Sequence, residues 1–407
     1  MTLVVQKYGG TSVADPERIR NVAARVKRHV AAGDQVAVVV SAMAGSTNQL
    51  VGWVHGLDAA GYDTAEYDQV VASGEQVTVG LLAIALQTMG VPARSFLGWQ
   101  AGFKTDTAYS KARILEIDPE PVCACLRSGK VAVVAGFQGL SSEGRVTTLG
   151  RGGSDTSAVA LAAALGAERC DIFTDVDGVY TSDPRIVAKA RKLDRITYEE
   201  MLEMASLGAK VLQTRSVALA MQHHVRVQVL SSFEDRPGTL VVDEDEIVES
   251  QIVSGIAYSR DEARVTVLGV KDRPGVAAAI FGPLSGNGIN VDMIVQSVSR
   301  DGVYANLTFT VTRADLPRAL AVLERANGEI GYERVVADAD VVKVSIIGVG
   351  MRSHAGIAHQ MFATLAAKGI NIHAIATSEI KVSVLIGEEY TELALRALHT
   401  AYGLDRD

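Results

Sequence analysis

The sequence predicts an α/β protein in which a mainly parallel sheet, covered on both faces by helices, precedes two small α/β units. Three observations predict this class. Short and nearly all-apolar runs alternate with helical patterns over the first 243 residues, as in buried parallel sheets. Glycine-rich turns follow several of these runs. Beyond residue 263 one pattern of strands and helices occurs twice.

The composition is that of an ordinary globular chain. Its 407 residues suggest two or three domains, with 48% hydrophobic and 21% charged residues. A net charge of −8 argues against a nucleic-acid-binding protein and against binding to an anionic membrane, but leaves room for a local phosphate site. Three cysteines are too few for a disulfide framework or a four-ligand zinc site. With no recognisable signal peptide, we expect a cytoplasmic protein.

The first elements alternate as expected for a parallel sheet. A strand over Leu3–Tyr8 is followed by a glycine turn at Gly9. A helix then begins at Pro16, whose missing N–H costs nothing in the first turn. The next apolar strand, Gln35–Val40, leads into a loop of small residues, Ser41–Asn48.

Two further strands and a helix extend this pattern. Ser73-Gly74-Glu75 opens a helix that runs to Met89, and strands are predicted over Val91–Phe96 and Val131–Phe137. Ligands of such sheets bind beyond the carboxyl ends of the strands. We therefore expect the turns at Gly9, Gly45 and Gly150 to share one site.

The segment Thr147–Ser157 contains the strongest local signal. Its glycines at 150, 152 and 153 allow backbone N–H groups to approach a ligand, and a helix predicted over Ala158–Leu165 directs its positive end at the same place. A tight turn with an N-cap would explain the glycines alone. Arg151, Ser154 and Asp155 add a two-pronged cation, a hydroxyl and a carboxylate, and these favour a binding site.

A second polar loop follows the predicted strand that begins at Arg169. Its aspartates and its Asp-Gly and Asp-Pro pairs suit a surface turn, or a nucleotide-binding loop with magnesium near the carboxylates. A helix predicted over Glu199–Val211 carries Lys210. Neither a Walker A pattern nor a protein-kinase catalytic loop occurs in the sequence. A phosphoryl transferase with this sequence would use separate glycine loops and scattered lysines.

The tail is an internal duplication that follows an acidic linker at 243–246. Residues 264–270 match 343–349, and 288–292 match 369–373. Each copy reads strand, loop, helix, strand, strand, helix, and we expect the two to pair into one continuous sheet. The duplication could serve dimerisation alone. However, Asp272–Val276 ends at a helix N-terminus that would suit a small carboxylate ligand.

The motifs together resemble those of aspartate kinases. Lys7-Tyr8-Gly9-Gly10-Thr11-Ser12 resembles their KFGGTS opening, with Tyr8 in place of Phe. Further motifs follow in the right order at Ser41–Asn48, Ser73–Glu75, Phe137–Gly139, Gly150–Asp155 and Thr174–Arg185. The tail resembles tandem ACT domains. The resemblance implies the amino-acid-kinase fold, an open α/β/α sandwich, in residues 1–243. It also implies a linker and first regulatory strand in 244–263, and ACT domains of βαββαβ type in 264–340 and 341–407.

The resemblance also implies an activity, which is transfer of a phosphoryl group from ATP, with Mg²⁺, to the side-chain carboxylate of L-aspartate. The product, 4-phospho-L-aspartate, is the first intermediate towards lysine, threonine, methionine and isoleucine. The implied catalytic residues are Lys7, Arg151 and Asp155. The implied substrate-binding residues are Ser41, Thr47, Glu75, Arg151 and Ser154. The implied ATP-binding residues are Lys7, Tyr8, Gly9, Gly10, Thr174, Asp175, Tyr180, Asp183, Arg185 and Lys210. No magnesium ligand is assigned.

For the tail, the resemblance implies feedback inhibition by lysine, threonine or both, and a homo-oligomer formed through the ACT domains. Some relatives also make a shorter subunit from the tail alone. The implied effector-binding residues are Asp272, Gly275, Val276, Asn290, Asp292, Gln296, Ile357, Asn371, Ser378 and Glu379.

Two other interpretations stay open. One is another kinase of this fold that acts on glutamate, N-acetylglutamate or a nucleoside monophosphate. The other is an amino-acid sensor with an inactive first domain, against which the intact Lys7, Glu75, Arg151 and Asp155 argue.

Overall fold

A computed structural model describes residues 2–57, 61–208, 211–247, 251–299 and 302–406. The chain divides into two compact units. The first comprises Met1–Val179, Lys192–Ser206 and Lys210–Val248. The second comprises Tyr180–Arg191, Leu207–Ala209 and Glu249–Asp407.

The first unit is built on an eight-stranded sheet. Its strands are β1 (Leu3–Tyr8), β2 (Gln35–Val40), β3 (Ala93–Phe96), β6 (Val131–Ala135), β9 (Arg169–Thr174), β10 (Arg195–Thr197), β11 (Val227–Ser231) and β12 (Thr239–Val242). They lie in the order β10-β12-β11-β9-β1-β2-β6-β3, and all neighbours are parallel except β11 and β12. The predicted mainly parallel sheet is confirmed.

Helices cover both faces of this sheet. They are α1 (Pro16–Ala31), α2 (Ser46–Gly56), α3 (Thr64–Val71), α4 (Ser73–Thr88), α5 (Glu120–Arg127), α6 (Gly153–Leu165), α7 (Tyr198–Ser206) and α8 (Thr214–His223). Helices α1 and α4 bury their apolar side chains against the face that carries Val38, Val40 and Tyr8. Since successive strand residues point to opposite faces, Lys7 faces the other layer, where α6 packs.

A smaller four-stranded sheet completes the first unit and was not predicted. Its strands are β4 (Phe103–Thr105), β5 (Ile114–Ile117), β7 (Gln138–Ser141) and β8 (Val146–Thr148), in the order β5-β4-β7-β8. Strands of three or four residues are too short to show a two-residue alternation in the sequence.

One helical stretch in the described residues, Thr64–Thr88, is long and apolar enough to cross a membrane, with a mean hydropathy of 1.4. Of its most apolar window, 44% is buried inside the fold. The stretch also carries Asp68 and Glu75, whose buried carboxylates accept hydrogen bonds from other segments of the first unit. We interpret it as a core helix pair.

The second unit contains two four-stranded antiparallel sheets. The strands are β13 (Gly255–Ser259), β14 (Ala263–Lys271), β15 (Asp292–Val298), β16 (Tyr304–Val311), β17 (Arg334–Asp338), β18 (Val341–Ile347), β19 (Ala374–Thr377) and β20 (Lys381–Gly387). The helices are α9 (Val276–Gly286), α10 (Leu316–Ile330), α11 (Ile357–Ala367) and α12 (Thr391–Ala401). The strands β15-β16-β14 and β19-β20-β18 correspond in chain order and in sheet order, which confirms the duplication. The fourth strands differ in origin, because β17 follows α10 in the first repeat whereas β13, which pairs with β18, precedes both repeats in the chain.

The expected single continuous sheet is wrong for the described residues, because the two sheets share no backbone ladder. Strand β15 has an irregular register between Asp292 and Val295, and Met293 adopts a φ of 47°. A bulge of this kind bends an edge strand out of the geometry that another strand needs. The two repeats instead share a small cluster of buried side chains, formed by Met293, Val341, Ala374 and Leu385.

Candidate active site

A buried ion pair lies at the carboxyl end of the central strand β1. Lys7 Nζ is 2.6 Å from Asp155 Oδ1, and each side chain is 11% exposed. Asp155 is in the first turn of α6, where the helix dipole favours a negative charge. The pair therefore fixes the Lys7 ammonium beside the positive end of a helix.

The loop formed by the glycine-rich segment is shorter than the sequence predicted. Helix α6 begins at Gly153 rather than at Ala158, so Ser154 and Asp155 belong to its first turn. Gly152 has a φ of 72°, and a Cβ atom there would lie 2.1 Å from Gln213 Cγ. Gly150 is also left-handed, with a φ of 75°. Arg151 thus lies exposed between two positions that favour glycine.

A cavity of about 470 Å³ adjoins the ion pair. It brings together seven residues that the sequence predicted for catalysis or substrate binding: Lys7, Ser41, Thr47, Glu75, Arg151, Ser154 and Asp155. Its wall also contains residues not predicted as site residues: Asn48, Tyr67, Val71, Ser110, Phe137 and Thr148. Ser110 and Phe137 have φ values of 67° and 68°, and left-handed non-glycine residues of this kind often cluster at functional sites.

Glu75 is the buried acid of this cavity, with 3% of its surface exposed. Its Oε1 accepts a hydrogen bond from the Ala42 N–H at 3.0 Å. Its buried Oε2 has no hydrogen-bond partner among the described residues. Burial raises the pKa of Glu75 to about 7, although the Ala42 N–H opposes the rise. A cationic group in the cavity would satisfy Oε2 and restore the ionised form.

The turn after β1 lies close to Lys7. A Cβ atom on Gly9 would be 3.4 Å from Lys7 Nζ, and one on Gly10 would be 2.9 Å from the Ala42 carbonyl oxygen. The prediction that Tyr8 binds ATP is wrong for its side chain. The whole residue is 1% exposed, and its ring stacks on Phe173 at 4.6 Å in the layer opposite Lys7.

Comparison with known proteins agrees with this architecture. The amino acid kinase family model matches residues 2–231, and ACT domain models match residues 264–328 and 344–402. An aspartate kinase of Pseudomonas fluorescens is 56% identical over 407 residues, which are 100% of this chain and 98% of that protein. An aspartokinase of Mycobacterium tuberculosis is 47% identical over 412 residues, covering 100% and 97% of the two chains.

Solved structures give the same result. Escherichia coli aspartokinase III in complex with aspartate and ADP superimposes with a TM-score of 0.83 at 28% identity, covering 98% of this chain and 99% of that one. Its complex with lysine and aspartate gives a TM-score of 0.75 at 27% identity, with the same coverage. This chain belongs to the aspartate kinases. Its fold is the amino-acid-kinase fold, and the two repeats of its second unit are ACT domains.

The residues predicted to bind ATP beyond β1 are described for each unit separately. Thr174 and Asp175 lie at the end of β9 in the first unit, where the Thr174 hydroxyl donates to Asp175 Oδ1 at 3.1 Å. Tyr180, Asp183 and Arg185 lie in the second unit. The Arg185 guanidinium donates to both Asp183 oxygens, at 3.0 and 2.8 Å, and holds the pKa of that carboxyl below its usual range.

The position predicted for Lys210 falls outside the described residues. The helix expected to carry it over Glu199–Val211 ends at Ser206, and this boundary is a correction. Gly208, with a φ of 104°, supplies the left-handed residue that commonly follows a helix end.

The two ACT domains present equivalent helix starts. Gly275 and Gly356 precede α9 and α11 with φ values of 92° and 94°, and Val276 and Ile357 are the first helical residues. Of the other effector candidates, Asp272, Asn290, Gln296, Asn371, Ser378 and Glu379 are exposed.

Asp292 is also exposed, with 63% of its side chain accessible, but it pairs with a buried lysine that the sequence did not reveal. Its Oδ2 accepts from Lys343 Nζ at 2.8 Å, and Lys343 also lies 2.6 Å from Glu262. Although burial opposes it, the two carboxylates raise the pKa of Lys343. Asp292 and Lys343 belong to β15 and β18, and Glu262 directly precedes β14, so only the fold brings them together.

Proposed function

We propose that this chain transfers the γ-phosphoryl group of ATP to the β-carboxylate of L-aspartate and forms 4-phospho-L-aspartate. The observation that carries the proposal is a single cavity lined by the Lys7–Asp155 ion pair, the buried carboxylate of Glu75 and the guanidinium of Arg151. Its relative from E. coli has been solved with aspartate and ADP bound.

Charge neutralisation would carry the reaction. The acceptor carboxylate is already a nucleophile, so the barrier comes from repulsion between two anions and from charge spread over the transferring group. In our proposal Lys7 binds that group in the transition state, oriented by Asp155 and assisted by the N–H groups of Gly9 and Gly10. No general base is required.

The other cavity residues would position aspartate. Glu75 would accept hydrogen bonds from the α-ammonium group through its unsatisfied oxygen. Arg151 would bind the α-carboxylate with two parallel hydrogen bonds. The hydroxyl groups of Ser41, Thr47 and Ser154 would fix the remaining orientation. In the first unit the nucleotide would be held by Lys7, the turn at Gly9-Gly10, Thr174 and Asp175. The roles that the resemblance implies for Tyr180, Asp183, Arg185 and Lys210 stay predictions from the sequence.

Magnesium would accompany the nucleotide. The described residues contain no group of three or more His, Cys, Asp or Glu side chains that could hold a metal ion. A hard cation can take its oxygen ligands from phosphates and water, and magnesium retains several waters in such sites. The protein residues would then act on the phosphates directly, and we assign no protein ligand.

The proposed role of Glu75 predicts a pH dependence. Because its pKa in the free enzyme is about 7, acidification below that value protonates the group that should bind the α-ammonium. We expect kcat/KM for aspartate to fall by about tenfold for each pH unit below this pKa. The Glu75→Gln variant should be weakly active at every pH and lack this transition. A wild-type profile that stays flat between about pH 5.5 and 8 would remove Glu75 from substrate binding.

The acceptor can be tested by measuring ADP release with ATP, magnesium and a panel of acceptors. We expect activity with L-aspartate, and none with L-glutamate, N-acetylglutamate or uridine monophosphate. Activity with glutamate in preference would establish the other kinase interpretation. If ADP is not released with any acceptor, while lysine or threonine still raises the melting temperature and ATP with magnesium does not, the chain is a sensor.

We also propose that lysine and threonine bind the ACT domains and inhibit the kinase, as a first biosynthetic step in the cytoplasm would require. The proposal is supported by the two ACT domains and by the E. coli structure solved with lysine and aspartate. A homo-oligomer formed through these domains is part of the proposal. A coupling free energy of about 1–3 kcal/mol would give useful inhibition. ADP release should be suppressed most by both amino acids together, and an unchanged rate would refute the regulatory role while keeping the kinase.

A further inference from the structure

Asp68 is a fully buried carboxylate on α3, a helix that contributes no predicted site residue. It is 0% exposed. Its two oxygens accept hydrogen bonds from the Ser110 N–H at 3.0 and 2.9 Å. They also accept from the Thr148 N–H at 2.8 Å and from the Thr148 hydroxyl at 2.5 Å. Burial raises the pKa of Asp68, and these donors oppose the rise by stabilising its charge.

Both partners of Asp68 lie in the wall of the active-site cavity. Ser110 is held at a φ of 67°, which a residue with a side chain keeps only where its surroundings impose it. The Ala112 N–H donates to the Thr148 carbonyl at 2.9 Å, so the two segments are also joined to each other. One carboxylate thereby organises one side of the cavity.

The same anchored segment leads directly into the glycine loop. Leu149 donates its N–H to the Phe137 carbonyl at 2.9 Å. Arg215 donates to the Leu149 carbonyl at 2.8 Å and to the Ala112 carbonyl at 2.9 Å. Both the N–H and the carbonyl group of Leu149 are therefore held by hydrogen bonds, immediately before Gly150. Leu149 thus forms a fixed base for the glycine loop, and only Gly150 separates it from Arg151.

We propose that Asp68 is a positioning residue that holds the base of the glycine loop so that Arg151 points at the α-carboxylate of the substrate. The inference rests on the proposed function of Arg151 in binding aspartate. A carboxylate with only a structural role would affect stability, and its loss would change the KM values for both substrates alike. If the carboxylate acts through Arg151, its loss changes the KM for aspartate selectively.

The Asp68→Asn variant keeps the side-chain shape and replaces one acceptor oxygen by an amide that faces N–H and O–H donors. Because a small displacement of a binding group has a large effect, we expect the KM for aspartate to rise by about tenfold. The KM for ATP should change by less than about twofold, since the loop does not depend on the nucleotide in this scheme. The matched control is Glu66→Gln, which makes the same charge change on the same helix at a side chain that is 66% exposed. This control should leave both constants unchanged.

A double-variant cycle separates positioning from general damage. In an Arg151→Ala background, Asp68→Asn should no longer raise the KM for aspartate, because the group it positions is absent. The same rise in both backgrounds would overturn the inference. An unchanged KM in Asp68→Asn, with a raised KM in Arg151→Ala, would also overturn it and leave the role of Arg151 intact. An unchanged KM in Arg151→Ala would overturn the proposed role of Arg151, and this inference with it.

If Asp68→Asn does not give a folded protein, Arg215→Lys tests the other contacts that hold the base of the glycine loop, which are those of Arg215 with the two carbonyl groups. Lysine keeps the positive charge but cannot span two carbonyl oxygens as the guanidinium does. We expect the same aspartate-selective rise in KM. Equal changes in the constants for both substrates, or no change in either, would overturn the proposal.

Discussion

Replacement of Lys7 by alanine is expected to lower kcat by about 10³-fold, while the KM for aspartate changes by less than about threefold. The Lys7 ammonium is buried, paired with Asp155 at 2.6 Å, and adjacent to the turn of Gly9. In this position it can stabilise charge that develops on the transferring phosphoryl group, which is greater in the transition state than in the ground state. An interaction of that kind changes kcat more than substrate binding.

The measurement is steady-state ADP release with each substrate varied in turn. Lys104→Ala is the matched control, because Lys104 is in the same unit, is 59% exposed and pairs only with a surface carboxylate in the described residues. This control should keep the wild-type kcat. An unchanged kcat in Lys7→Ala would remove Lys7 from the reaction, and the proposed chemistry with it.

Replacement of Arg151 by alanine is expected to raise the KM for aspartate by about 100-fold, the effect of losing charge-assisted hydrogen bonds to a carboxylate. Arg151 is exposed between Gly150 and Gly152, in the wall of the same cavity as Glu75. Arg151→Lys should recover only part of the loss, since an ammonium cannot form two parallel hydrogen bonds with one carboxylate.

A substrate analogue tests which group Arg151 binds. β-Alanine is aspartate without its α-carboxylate, so the wild type and Arg151→Ala should use it equally poorly. If Arg151→Ala is as defective towards β-alanine as towards aspartate, Arg151 does not bind the α-carboxylate. Succinate, which lacks the ammonium group, provides the corresponding comparison for Glu75.

The main sheet could be predicted from the sequence because its buried strands are continuous apolar runs. The glycine turns could also be predicted from the sequence, and they follow strands whose carboxyl ends meet at one edge of the sheet. The prediction that Tyr8 binds ATP did not take account of the alternation of side chains along a strand. Neighbouring residues on a strand point to opposite faces, so a site at Lys7 excludes the Tyr8 side chain.

The hydrogen bonds of Asp68 that hold the base of the glycine loop could not be predicted, because Asp68 lies 42 and 80 residues from its partners. No local pattern encodes such contacts. The end of α7 was predictable in principle, since Gly208 is a standard helix-stop signal. The two ACT sheets share no ladder in the described residues, and the irregular register of the edge strand β15 is not revealed by any residue pattern in that strand.

The central claim is phosphorylation of the β-carboxylate of L-aspartate, and trapping of the acyl phosphate by hydroxylamine tests it most directly. The chain, ATP and magnesium should convert L-aspartate into aspartate β-hydroxamate, identified by chromatography against the α-isomer. The hydroxamate should be absent without ATP and absent with L-glutamate. Formation of glutamate hydroxamate instead, or of no hydroxamate while ATP is consumed, would contradict the account.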